Sequence, residues 1–161
     1  MIVADASALV SLAAVDTVDA VLAEFEVHTT ETVVGELKDT SEYDDRHGAA
    51  ARAVLDNRDE FETHEVSETL ESSRIDRGEG SCALLTRRLD AEFLITDDLR
   101  ALPELQTASD AEVAISPIVL KALVKREVME TERAREKVDR LAEQRSWLGQ
   151  PIYTRARGLF E

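Results

Sequence analysis

Apolar positions along this chain follow two rhythms. Short runs such as Ile2-Val3-Ala4 and Phe93-Leu94-Ile95 end in polar residues, the mark of a strand covered on both faces. Between such runs, apolar residues recur at three- and four-residue spacing, the period of a helix. Five segments read as strands: 1–6 (MIVADA), 26–29 (EVHT), 63–68 (THEVSE), 92–96 (EFLIT) and 111–116 (AEVAIS). Helices are predicted over 7–15 with Ser7 as N-cap, 16–25, 30–39 with Thr30 as N-cap, 49–61, 79–90 and, briefly, 98–102. In the third of these Val33, Val34 and Leu37 supply the apolar positions. Polar loops are expected over 39–48 and 73–80. Strands alternating with helices predict an α/β fold with a mostly parallel sheet of about five strands. Beyond Ser116, read as an N-cap, and Pro117, read as the first helical residue, the chain turns all-helical. Leu120, Leu123, Val124 and Val128 recur at helical spacing, followed by the basic Arg133, Arg135, Lys137 and Arg140. The expected organisation is one α/β unit over 1–116 and a helical C-terminal extension over 117–161.

Composition narrows the setting. The 161 residues are 43% hydrophobic, enough for a core. No apolar run approaches the length of about 18 residues that a membrane span needs, and the first residues, Met-Ile-Val-Ala-Asp, show no basic leader region. Cys82 is the only cysteine, which excludes an internal disulfide and a cysteine-built zinc site. A cytoplasmic location is expected. The net charge of −15 is unevenly spread: residues 1–120 hold 9 Lys/Arg against 27 Asp/Glu, a balance of −18, and residues 121–161 hold 10 against 7, a balance of +3. Most of these acids read as solvated surface. Only four lysines accompany 15 arginines, a pattern that suits a high-salt cytoplasm of a halophile. Charge alone argues against a nucleic-acid partner.

The chemistry lies where apolar runs end in acids. In parallel α/β sheets, sites form outside the carboxyl ends of the strands. Asp5 follows the first strand, and Asp97 and Asp98 follow the fourth. Glu36 lies beside the apolar positions of its helix, and Glu79 opens an otherwise apolar one. Each has a simpler role available: Asp5 and Asp98 as helix caps, Glu79 as a first-turn acid favoured by the helix dipole, Glu36 as a surface residue. Gathered in one pocket, such acids would repel and resist ionisation. A divalent cation offsets that, and all-oxygen donors select Mg²⁺ or Mn²⁺. His28, His47 and His64 lack ligand spacing and read as ordinary residues.

Four stretches, VADASALVSLA, TETVVGELKD, RIDRGEGSCALL and LITDDLRAL, stand in this order over residues 1–115. Together they resemble the PIN-domain ribonucleases, which include VapC-like toxins of toxin–antitoxin pairs and endonucleases of ribosomal RNA maturation. The resemblance implies a three-layer α/β/α sandwich and Mg²⁺- or Mn²⁺-dependent hydrolysis of RNA. It implies that Asp5, Glu36, Glu79 and the Asp97-Asp98 pair are catalytic, with Asp5, Glu79, Asp97 and Asp98 holding metal. Thr96-Asp97-Asp98 matches a Thr-x-Asp pattern with Asp98 at the acid position, and Ser7 and Thr96 match hydroxyls that orient carboxylates or water. An antitoxin protein and a homodimer are expected partners beside RNA. The extension and the acidic body depart from the compact toxin pattern. The arginines of the extension, Arg126, Arg133, Arg135, Arg140, Arg145, Arg155 and Arg157, with Arg133 and Arg140 foremost, are candidates for RNA phosphate contacts, and Trp147, Tyr153 and Phe160 for packing the extension onto the body or a second subunit. Two other readings use the same acids. A haloacid-dehalogenase-type phosphotransferase would need a second Asp two residues after Asp5, where Ser7 stands. A PIN-like module without turnover would bind RNA or protein only.

Overall fold

The computed structural model describes residues 1–161. Its elements in chain order are β1 (Ile2–Ala4), α1 (Ala6–Ala14), α2 (Val18–Glu24), β2 (Val27–Thr30), α3 (Glu31–Ser41), α4 (Arg46–Asp56), β3 (Glu62–His64), α5 (Arg77–Leu89), β4 (Phe93–Ile95), α6 (Leu102–Ala108), β5 (Glu112–Ala114), α7 (Pro117–Lys125), α8 (Thr131–Gln144) and α9 (Pro151–Gly158). The five strands form one sheet in the order β3-β2-β1-β4-β5, every pair parallel. The fold is the expected α/β sandwich. The apolar runs explain it: β1 is buried at all three positions, so helices must cover both of its faces. From β1 the chain builds outward to β2 and β3, then returns to place β4 on the other side of β1. This reversal makes the β1–β4 boundary the topological switch point, where such sheets open a crevice at their carboxyl ends.

Register decides what reaches that crevice. Ala4 pairs with Ile95, so Asp5 and Thr96 leave the sheet side by side. The helices start there with their own caps. Thr30 caps α3, its hydroxyl accepting from Val33 N, as the sequence predicts. For α1 the cap is Asp5 and not Ser7: Asp5 Oδ1 accepts from Ala8 N at 2.9 Å. The short helix expected at 98–102 is a turn in which Asp98 Oδ1 accepts from Arg100 N. Helix α6 begins instead at Leu102, because Pro103, having no N–H, is tolerated only in a first turn. Ser116 does not cap α7 through its side chain; its hydroxyl turns back to Asp97.

The C-terminal helices join the same core. Trp147, Ile152, Ala156 and Phe160 are buried in one apolar cluster with the strands and α1, and truncating an aromatic so placed costs about 3–5 kcal/mol. Tyr153 is only partly buried, and its hydroxyl donates to Asp139. The helical stretch after Pro117 breaks between α7 and α8, where Glu127 takes a left-handed φ of 61°. Helix α8 is held by charge as well as by packing. Lys137 donates to Val15 O and Arg140 to Ala14 O and Asp16. These cations satisfy carbonyls at the C-terminal end of α1, where the helix dipole favours positive charge. His28 and His64, unremarkable in the sequence, are hydrogen-bonded across β2 and β3 at 2.8 Å. No single helix is long and apolar enough to cross a membrane.

Candidate active site

Asp5 is 3% exposed and held from several sides. The Ser7 hydroxyl donates to its Oδ1 at 2.7 Å, and the same oxygen accepts from Ala8 N. Ser7 Oγ also accepts from Asp97 N, and Thr96 Oγ1 accepts from Asp98 N. Two hydroxyls thus lock the Asp5 carboxylate against the end of β4. The Asp5 pKa is raised to about 6, chiefly by burial with a smaller contribution from Asp97, against the bonds from Thr96, Ala8 and Ser7 that oppose it.

The two adjacent acids part ways. Asp97 points to the start of α7: its oxygens accept from Ser116 N and Ser116 Oγ, each at 2.7 Å. That carboxylate is occupied in joining β4 to the C-terminal helices. Asp98, already past the strand, lines a cavity of about 630 Å³ together with Asp76 and Glu79. Its partner there is Arg100, with Nε 3.5 Å from Oδ1 and the Arg100 side chain 91% exposed, an attachment of little strength in water.

Glu79 and Asp76 form a capping box at the start of α5. Asp76 Oδ1 accepts from Glu79 N at 2.8 Å, and Glu79 Oε1 accepts from Asp76 N at 3.3 Å. The other Glu79 oxygen, Oε2, is buried without any partner. Burial first, then Asp76 and Asp98, push the Glu79 pKa well above the carboxylate range. Glu36 arrives from α3 against Gly78. A methyl group at Gly78 would lie 2.3 Å from Glu36 Oε1 and 2.6 Å from Oε2, so only glycine admits this carboxylate to the N-terminus of α5. Glu36 is raised to about 7, by burial first and then by Asp76 and Asp5, against the opposing Gly78 N–H.

The five predicted acids therefore have different surroundings. Asp5, Glu36, Glu79 and Asp98 belong to one chain of mutually repelling carboxylates, linked through Asp76. Sequence reasoning missed Asp76, although the spacing Asp-x-x-Glu before an apolar helix is a legible capping signal. Arg133 and Arg140 lie elsewhere: Arg133 pairs with Glu136 on the surface of α8, and Arg140 is spent on the C-terminal end of α1. The arginines that line the acid cavity are Arg74 and Arg100.

A divalent cation fits this donor set. Every donor is oxygen, the group carries an excess of negative charge, and the Glu79 Oε2 atom lacks a partner. Asp76, Glu79 and Asp98 line an open cleft, and no three of the acids close into a preformed cation cage. An open cleft suits Mg²⁺, which retains several waters and uses one or two carboxylates with substrate phosphate.

A search of curated proteins finds none that matches this chain. A family model described as PIN domain matches residues 1–161, its whole length. The chain belongs to the PIN-domain family.

Proposed function

We propose that this PIN-domain protein is an endoribonuclease dependent on Mg²⁺ or Mn²⁺. The observation that carries this reading is the buried Glu79 Oε2, without a partner beside Asp76 and Asp98 at the switch-point end of the sheet. Asp5, Glu79 and Asp98 would hold the cation, which would neutralise their charge and polarise a phosphoryl oxygen. Ser7 and Thr96 keep Asp5 from turning toward solvent. Arg74 and Arg100, which line this cleft in loose pairs with Glu104 and Asp98, would meet non-bridging phosphate oxygens. Glu36, with a pKa near neutrality, suits removal of a proton from the attacking water. Water oxygen would then bond to phosphorus as the P–O3′ bond breaks, with the departing O3′ taking a proton from solvent, leaving a 5′-phosphate and a 3′-hydroxyl. The test is incubation of the chain with single-stranded and structured RNAs plus Mg²⁺ or Mn²⁺, with end-group analysis of the products. Cleavage that stops on chelation is expected; no cleavage of any RNA overturns the reading.

The finer role we propose is that of a toxin, with an antitoxin protein as partner, in a halophilic cytoplasm. The acidic, lysine-poor composition supports the salt-rich setting. Expression of the chain alone should arrest growth; growth unaffected by an active enzyme would favour ribosomal RNA processing instead.

Gly78 gives a sharper check on Glu36. Gly78→Ala should leave thermal stability unchanged or slightly raised, because alanine favours the helix by about 0.5–1 kcal/mol over glycine. Cleavage should fall by about 10- to 100-fold, the usual cost of displacing an orienting group at a metal site. Equal activity of Gly78→Ala and wild type, with melting curves that superimpose, would remove Glu36 from the mechanism.

A further inference from the structure

Ser7 faces two ways in this fold. Its hydroxyl holds Asp5, and the residue also lines a second cavity of about 370 Å³ with Tyr43, Asp45, His47 and Arg145. The lining differs in character from the acid cleft. It brings a guanidinium, an imidazole and an aromatic ring together with one carboxylate, Asp45, whose Oδ1 is already engaged by Gly48 N at 2.8 Å.

Arg145 differs from the arginines of α7 and α8, and unlike Arg155 and Arg157 on α9 it lines the cavity that holds Ser7. Arg126, Arg133, Arg135 and Arg140 are each paired with a carboxylate. Arg145, half-buried at the end of α8, has no ion pair and no side-chain hydrogen bond. The carboxylate whose charge it influences is Asp97, and both Asp97 oxygens are satisfied by Ser116. Its donors are available to an anion in a chain of net charge −15.

Tyr43 is 65% exposed, yet its backbone is fixed. Its N–H donates to Thr40 O, and its carbonyl accepts from Arg52. A side chain at Gly48 would come within 1.8 Å of that carbonyl, so glycine there lets the loop close on α4. The result is an exposed aromatic ring on a held stem, sharing a cavity with an unpaired arginine and with Ser7, whose hydroxyl donates to Asp5. That combination, stacking face plus cation, is how single-stranded nucleic acid is gripped without regard to sequence.

We propose that this cavity binds the RNA nucleotide adjoining the cleaved phosphodiester, with its base stacked on Tyr43 and its phosphate held by Arg145 and the His47 imidazole. This assignment rests on the ribonuclease reading above. It places the substrate strand across Ser7, running from the acid cleft to the loop between α3 and α4. It also gives the C-terminal helices a part in substrate binding, through Arg145 and not through Arg133 or Arg140.

The experiment measures binding of a labelled single-stranded RNA to the full chain by fluorescence anisotropy, without divalent cations, beside cleavage with Mn²⁺. Tyr43→Ala should weaken binding by about tenfold, and Tyr43→Trp should preserve it. Arg145→Ala should weaken binding and reduce the salt dependence by about one phosphate contact. Melting temperatures confirm that both variants fold. If the wild type cleaves RNA and both variants bind as tightly as it does, the nucleotide site is wrong and the nuclease reading stands. If Tyr43→Ala disrupts self-association or a protein complex while RNA binding is unchanged, the surface serves a protein and the proposal is overturned. If the wild type neither binds nor cleaves any RNA, both readings fall.

Discussion

Asp98→Asn is expected to melt like the wild type and to lose at least about 100-fold in RNA cleavage, whereas Asp97→Ala is expected to lose stability. The two residues are neighbours in sequence, but the fold gives them different tasks. Asp98 lines the acid cleft beside Glu79, and its ion pair is with an exposed arginine. Replacing its carboxylate by an amide keeps the shape and removes one charge from the donor set. Little of the fold depends on that charge, so the effect falls on cation binding and turnover. Asp97 instead accepts two hydrogen bonds from Ser116, a residue with no exposure. Truncation to alanine leaves the Ser116 N–H and hydroxyl unsatisfied in the interior, at a cost of about 1–3 kcal/mol. For a chain of this length that lowers the melting temperature by several degrees. The pair of measurements is kcat for cleavage and Tm for each variant. An Asp98→Asn chain that cleaves normally while Asp97→Ala, still folded at the assay temperature, does not would exchange the roles assigned here.

Divalent cations should stabilise the protein at pH 8 and leave its melting temperature almost unchanged at pH 5. Asp5 and Glu36 have pKa values raised to about 6 and about 7 by burial and by neighbouring acids, and Glu79 is raised further. The unfolded chain ionises these groups near pH 4. The native state therefore holds the extra protons, and linkage fixes the direction. The contribution of these groups to stability is complete below the ordinary carboxylate range and is lost as pH rises through 6 and 7. In metal-free protein they should make the fold less stable at pH 8 than at pH 5. A bound cation needs the ionised carboxylates, so its stabilising effect grows over the same interval. His64 acts in the opposite sense. Burial and the adjacent His28 hold its pKa down, so its contribution is present above the ordinary histidine pKa and is lost as pH falls. The metal-induced change in Tm separates the two, because the histidine pair does not line the acid cleft. A shift on adding Mn²⁺ that is equal at pH 5 and pH 8, or that survives in Asp5→Asn, would argue that the cation binds elsewhere.

Local signals carried much of the fold. The short all-apolar runs at Ile2–Ala4 and Phe93–Ile95 read as strands covered on both faces, which calls for a sheet with helices on each side. Thr30 was legible as a cap because its partner, Val33 N, lies three residues away in the same turn. Asp5 was legible as a strand-end acid for the same local reason. The Asp76–Glu79 capping box was equally local, and could have been found by its spacing. The arginines were another matter. A guanidinium sits at the end of a long, flexible stem, and its partner depends on which surface lies opposite. Arg140 looked available for phosphate until the packing of α8 put the α1 carbonyls within reach. Arg74 and Arg100, unexceptional in the sequence, line the acid cavity, and Arg145, one of several arginines in the basic extension, lines the second.

By itself the sequence marked the strands and most helices to within a few residues, with Glu62–His64 in place of the strand expected at 63–68 and Arg46–Asp56 in place of the helix expected at 49–61, and a set of acids at strand and helix ends, because each depends on neighbours within a few residues. The alternation of strands and helices pointed to the parallel class. The tertiary structure decided that β4 returns beside β1, so that Asp5 and Thr96 emerge together. It turned Asp97 toward Ser116 and Asp98 toward Glu79, and placed Glu36 against Gly78. These arrangements join residues tens of positions apart, and only the packed chain brings them within hydrogen-bonding distance or repulsion of one another.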